Sequence, residues 1–157
     1  MSDLPVLSGV KVNREAADVL RAEAQAVLAL VLDPDRRSRL AGLIAAVDEG
    51  LLDDEAAGDA EEVLSLALSS GRVRALYGPE GETAIVSLLR RLPRGRAAVE
   101  SAREVTAALA SLEGRTLDGV SVHVLSPGEF AFSISADGLE LSARLGRGGV
   151  RLNTVAI

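Results

Sequence analysis

The sequence predicts an α+β fold, with an all-helical N-terminal region of about five helices packed on a C-terminal four-stranded antiparallel β-meander. Two observations carry this. Residues 120–125, 129–135, 139–145 and 150–156 each alternate apolar with polar or small residues, the period of a half-buried strand. Before residue 116 the apolar positions instead recur at three- and four-residue spacing, punctuated by capping residues, Pro and Gly.

Residues 1–12 read as an arm, in which Val10 and Val12 alternate enough for a short edge strand. Asn13 is a plausible N-cap for a first helix running to about Leu32, with Ala16, Val19, Leu20, Val27, Leu30 and Val31 at helical spacing. Asp33 and Pro34 restart the chain as N-cap and first helical residue. The second helix runs to about Glu49, with Leu40, Leu43, Ile44 and Val47 inward, and Gly50 ends it. Asp53 or Asp54 caps a third helix whose apolar residues are Val63, Leu64, Leu66, Ala67 and Leu68, and Ser70 and Gly71 stop it. Residues 72–77 suit a helical turn or a short extended piece, and 78–81 (Gly-Pro-Glu-Gly) form a turn. A fourth helix over about 82–92 breaks at Pro93. A fifth, about 95–113, places Val99, Ala102, Val105, Leu109 and Leu112 on one face before Gly114. With no internal repeat and no low-complexity linker, 1–157 reads as a single domain: arm 1–12, helical part 13–114, meander 115–157.

The turns of the meander fix its register. Asp137-Gly138 is a type I′ hairpin signal, and Arg147-Gly148 is nearly as permissive. Two-residue loops there set Ile134 opposite Leu141, Phe132 opposite Ala143, Leu145 opposite Val150 and Ala143 opposite Leu152. The first hairpin needs an odd loop, and three residues, Ser126, Pro127 and Gly128, set Val124 against Phe130 and Val122 against Phe132. One face is then apolar: Val120, Val122, Val124, Phe130, Phe132, Ile134, Leu139, Leu141, Leu145, Val150 and Leu152. On the other face one row reads Ser121, Ser133, Ser142, Asn153, the next His123, Ala131, Arg144, Arg151, and Ser135 faces Glu140.

Composition narrows the function classes. Nearly half of the 157 residues are apolar, enough for a sizeable core, yet Tyr77, Phe130 and Phe132 are the only aromatics. A positive mean hydropathy at this size suggests apolar surface covered by another subunit. No cysteine is present, which excludes disulfides, zinc–cysteine sites and thiol chemistry. The N-terminal residues carry no targeting pattern, and the longest apolar run, 26–32, is far too short to span a bilayer, so a soluble cytoplasmic protein of bacterial type is expected. A net charge of −6 argues against nucleic-acid binding. The helix pair around Pro93 followed by a hairpin is no winged helix-turn-helix, because Glu100, Glu104 and Glu113 on its second helix would repel phosphates.

Three charged features are candidate sites. Residues 48–62 hold eight acids, including Asp53, Asp54, Glu55 and Asp59, and no base. Their spacing does not fit a calcium loop, so no metal is expected, and a helix start or an acidic docking patch is. Residues 90–96 carry Arg90, Arg91, Arg94 and Arg96, a corner suited to an acidic surface, with 48–62 the obvious partner, within one chain or between copies. Arg36, Arg37 and Arg39 form a smaller basic group. On the polar sheet face, His123, Arg144 and Arg151, with Ser133 and Ser142, offer fixed donors to a carboxylate or phosphate, and Arg144 opposite Arg151 is a like-charge pair.

Catalysis is not expected. His123 is the only histidine, and Ser121, Ser133 and Glu140 near it on a flat sheet resemble a triad only formally, without oxyanion donors or a cleft. The glycines at 146–149 lie between two strands, not between strand and helix, so they form no phosphate loop. The sequence therefore points to a non-enzymatic protein–protein interaction or assembly module without cofactor, whose partner is another protein or itself as a homo-oligomer. The alternative is a small-anion sensor or carrier using His123, Arg144 and Arg151.

Overall fold

A computed structural model describes residues 9–146 and 148–156. Five helices precede a four-stranded antiparallel sheet, the α+β arrangement the patterning predicts. The chain divides into two compact units, Met1–Gly95 and Arg96–Ile157.

The first unit holds β1 (Val10–Lys11), α1 (Arg14–Leu30), α2 (Pro34–Glu49), β2 (Leu51–Leu52), α3 (Asp54–Ser69), α4 (Arg72–Leu89) and the first turn of α5 (Pro93–Ala110). Its helix starts follow local chemistry. Asn13, Asp33 and Asp53 each accept a hydrogen bond from the backbone N–H three residues on, at 2.9, 3.2 and 2.8 Å. Gly50 ends α2 in the left-handed conformation. The short edge strand at Val10 exists, and its partner β2 was not anticipated: Val10 pairs with Leu52 and Lys11 with Leu51. The remainder of the arm, 1–8, lies outside the described residues.

Two helix expectations need correction. Residues 72–77 are helical, and the turn at 78–81 shrinks to one residue: Gly78 (φ 68°, ψ −171°) kinks α4, and Pro79 opens its second half. The fifth helix starts at Pro93 rather than Gly95, since Pro is well suited to a first helical position. Twenty residues between Ala16 and Leu92 form one aliphatic core, with Leu20, Leu64, Ile85, Leu88 and Leu92 fully buried. Each such side chain contributes about 1.5–3 kcal/mol relative to exposure. Leu30 and Leu66, read from the pattern as helix-face residues, are exposed.

The second unit holds the rest of α5 and the meander, β3 (Leu117–Ser126), β4 (Glu129–Ala136), β5 (Leu139–Gly146) and β6 (Gly149–Ala156), in spatial order β3-β4-β5-β6. Every pairing named above between apolar residues is present. Asp137 (φ 47°) and Gly138 (φ 79°) form the turn with both central residues at positive φ. Two register details differ. Ser126 pairs with Glu129, so the first loop is Pro127-Gly128, and a bulge between Val124 and Ser126 supplies the odd residue that keeps the faces in phase. A second irregularity falls beside Ser142 and Ala143, so Thr154, not Asn153, stands opposite Ser142. Of the last turn, Arg147 lies outside the described residues, while Gly146 and Gly149 pair as a two-residue loop requires.

The expected inward face of α5 is kept in part: Val105 is buried and Val99 is half-buried, as is Leu112 just past the helix end, whereas Ala102 and Leu109 are exposed and Ala98, Ser101 and Ala108 are half-buried instead. Among the described residues of this unit the buried apolar side chains are Val105 and, on the sheet, Ala136, Leu139, Leu141 and Ala143.

Candidate functional site

The charged corner and the acidic segment meet inside the first unit. Glu61 is only 4% exposed on α3. Its Oε1 accepts a hydrogen bond from the Arg94 backbone N–H at 2.7 Å, and its Oε2 stands 3.5 Å from the Arg94 guanidinium. A carboxylate from another helix thus takes the place of an N-cap at the start of α5, where Leu92 has no side chain able to do so. Arg91 donates to the Lys11 carbonyl at 2.9 Å, tying the end of α4 to β1. Arg90 and Arg96 are exposed and make no side-chain hydrogen bond or ion pair among the described residues.

Most of the remaining charge is similarly engaged. Asp53 caps α3, Asp59 lies 4.0 Å from Arg39, Glu62 3.5 Å from Arg36, and Asp48 2.7 Å from Arg21. Arg37 donates to the carbonyls of Leu28 and Val31 and closes the end of α1. Asp54 and Glu55 occupy the first turn of α3, are exposed, and pair with no cation among the described residues. A groove of about 200 Å³ between α2 and α3 is lined by Arg39, Asp53, Glu55 and Asp59. Among the described residues no group of three or more His, Asp or Glu is placed to hold a metal ion.

A second buried carboxylate left no mark in the residue pattern. Glu23 on α1, 3% exposed, accepts from Arg72 Nε at 3.0 Å, Arg72 Nη2 at 3.3 Å and the Tyr77 hydroxyl at 3.0 Å. Burial first, then the hydrogen bond to Glu23, raises the Tyr77 hydroxyl above its ordinary pKa of 10.0. The hydrogen bond that Arg72 donates to Glu23 likewise raises the Arg72 guanidinium, which stays charged. This cluster locks α1 to α4, and its polar atoms are satisfied by one another.

On the polar sheet face, Ser121, Ser133 and Ser142 line up across β3, β4 and β5, and Arg144 stands directly opposite Arg151. The anion candidates do not converge on one point. His123 is opposite Ala131, which is opposite Arg144, so two strand spacings, about 10 Å, separate imidazole and guanidinium strands. Arg144 and Arg151 share a shallow depression of about 260 Å³ with Leu125, Glu129 and Leu145, where the Glu129 carboxylate competes with any incoming anion. A separate depression of about 270 Å³ is lined by Ser121, Ser133, Ser135 and Glu140, with His123 outside it.

The opposite, apolar face is unevenly covered. Burial is deepest at Ala136 on β4 and at Leu139, Leu141 and Ala143 on β5 and fades toward β3, while Phe130 and Leu145 near the other end of the sheet are 39% and 42% exposed. Leu141, Ala143 and Ala136 are fully buried, Phe132 and Ile134 are half-buried, and Val120, Val122 and Val124 are 63%, 65% and 71% exposed. Leu117 and Phe130 extend this uncovered strip along β3 and β4. By strand alternation its side chains share a face with no ionisable residue of β4 or β5, since Glu129, Glu140 and Arg144 point the other way.

No protein-family model, no curated protein and no solved structure matches this chain.

Proposed function

We propose that this chain is a non-enzymatic protein–protein interaction or assembly module that works in the cytoplasm. The observation that carries the reading is the uncovered apolar strip of Val120, Val122 and Val124 on edge strand β3. Contiguous apolar surface of this kind marks interaction sites on soluble proteins. The ten-residue strand has no Pro and no Lys to blunt its open edge.

The charged segments contribute less than their number suggests, because Arg94, Arg36 and Arg39 are spent on Glu61, Glu62 and Asp59. Arg90, Arg96, Asp54 and Glu55 remain for an outside partner. Replacing Arg90 and Arg96 by Glu should weaken partner capture without loss of folding if that corner contributes. Native mass spectrometry of the untagged protein tests the reading as a whole. Ligand-free assembly supports it, and a monomer retaining a small ion or metabolite counts against it.

One observation favours a second reading, a small-anion sensor or carrier: the depression shared by Arg144 and Arg151. Thermal stabilisation by inorganic phosphate that Arg144→Ala abolishes would support it, and no stabilisation by phosphate, sulfate or dicarboxylates would remove it.

A further inference from the structure

We propose that the β3–β4 strip is covered by the same strip of a second copy of this chain, the two apolar faces stacking about a two-fold axis near Val122. The inference rests on the interaction-module reading and names its partner.

Three features select a second copy. The first is area. Leu117, Val120, Val122, Val124 and Phe130 leave on the order of 500 Å² of apolar surface open, so two copies would bury about 1,000 Å², the lower bound for a specific interface. The second is self-complementarity. Valines recur at every second residue on either side of Val122, so an antiparallel superposition lays Val120 of one copy over Val124 of the other, the repetition an isologous contact demands. The third is charge. A chain of net charge −6 repels its own copy over most of its surface, yet β4 and β5 place their ionisable residues on the reverse face, and the apolar positions Val120, Val122 and Val124 of β3 have no ionisable residue opposite them on that face.

The layer geometry agrees. Stacked sheets lie about 10 Å apart, and cover over the apolar face exists at Leu139, Leu141 and Ala143 of β5 and does not reach Val120, Val122 and Val124 of β3. A partner sheet would extend that layer across β3 and β4 and give Phe132 and Ile134, now half-buried, their missing contacts.

Sedimentation equilibrium over a wide concentration range, on the full chain, tests this. The wild-type chain is expected to approach twice its 16.3 kDa mass. Val122→Lys, at a position exposed enough to leave the single chain folded, is expected to weaken association on the order of 100-fold or more, because the two-fold axis would bury two ammonium groups together. His123→Lys, one residue along on the reverse face, should leave association intact. A dimer that survives Val122→Lys overturns the proposal, as does a wild-type chain that remains at 16.3 kDa. A hydrophobic fluorescent dye then separates the two levels of the argument. A monomer that binds dye in a Val122-dependent way leaves the interaction reading standing and overturns only the second copy as occupant. A monomer that binds none overturns both.

Discussion

Truncating Glu61 should cost several times more than truncating the arginine it pairs with. Glu61 is 4% exposed and its strong contact is with the backbone N–H of Arg94, at 2.7 Å; the contact with the guanidinium is longer, at 3.5 Å, and that side chain is 74% exposed. A hydrogen bond donated to a charged group is worth about 1.5–3 kcal/mol. An exposed ion pair is worth about 0–1 kcal/mol. Glu61→Ala removes both and strands an α5 N–H, so about 2 kcal/mol is expected, whereas Arg94→Ala keeps the backbone donor and should cost under about 0.5 kcal/mol. Glu61→Gln keeps an acceptor oxygen and should fall between them, since a neutral acceptor is roughly half as strong. For a unit of this size each kcal/mol moves the midpoint by about 4–8 °C, so Glu61→Ala should melt roughly 8–16 °C below wild type in circular dichroism at 222 nm. If Arg94→Ala proves as damaging as Glu61→Ala, the backbone bond is not what the carboxylate serves, and the account of how α5 begins is wrong.

Two other perturbations probe the same helical unit. Gly95→Ala would drive a Cβ into the Leu89 carbonyl, so it should destabilise by about 1–3 kcal/mol in urea titration, although Ala is the better helix former, and a neutral or stabilising result would contradict the close approach of Gly95 to the end of α4. Tyr77 has a folded pKa above its ordinary 10.0, so the folded state holds the proton more tightly than the unfolded one. Its contribution is fully present below about pH 10 and is lost as pH rises through the folded value. Thermal midpoints should therefore fall above about pH 10, and Tyr77→Phe should flatten that fall, while an unchanged alkaline slope would place the loss elsewhere.

What was legible in the sequence was local. Asn13, Asp33 and Asp53 announce their helices because an N-cap acts within three residues, and the strand pairs follow from side-chain alternation and turn length. Two of the three register shifts in the sheet did leave a signal: Val124 and Leu125 are adjacent apolar residues, and Asn153 and Thr154 adjacent polar ones, each breaking the period of two where a shift occurs. Glu61 and Glu23 left none. Their partners are 33 to 54 residues away, and an acid in an amphipathic helix looks alike whether it faces water or a buried donor. The candidate surface was half legible. Alternation assigned Val120, Val122 and Val124 to the apolar face, but how far cover extends across a sheet is set by tertiary packing, which no periodicity encodes.

The absence of cysteine allows one direct test of that surface. Val122→Cys and His123→Cys each introduce a single thiol, on adjacent residues of β3 that point to opposite faces. If two copies stack through the strip, a short bismaleimide should link Val122→Cys chains into a covalent dimer at dilute protein concentration and leave His123→Cys chains unlinked. Equal linkage at both positions, or linkage at His123→Cys alone, would contradict the assignment of this face as the assembly surface.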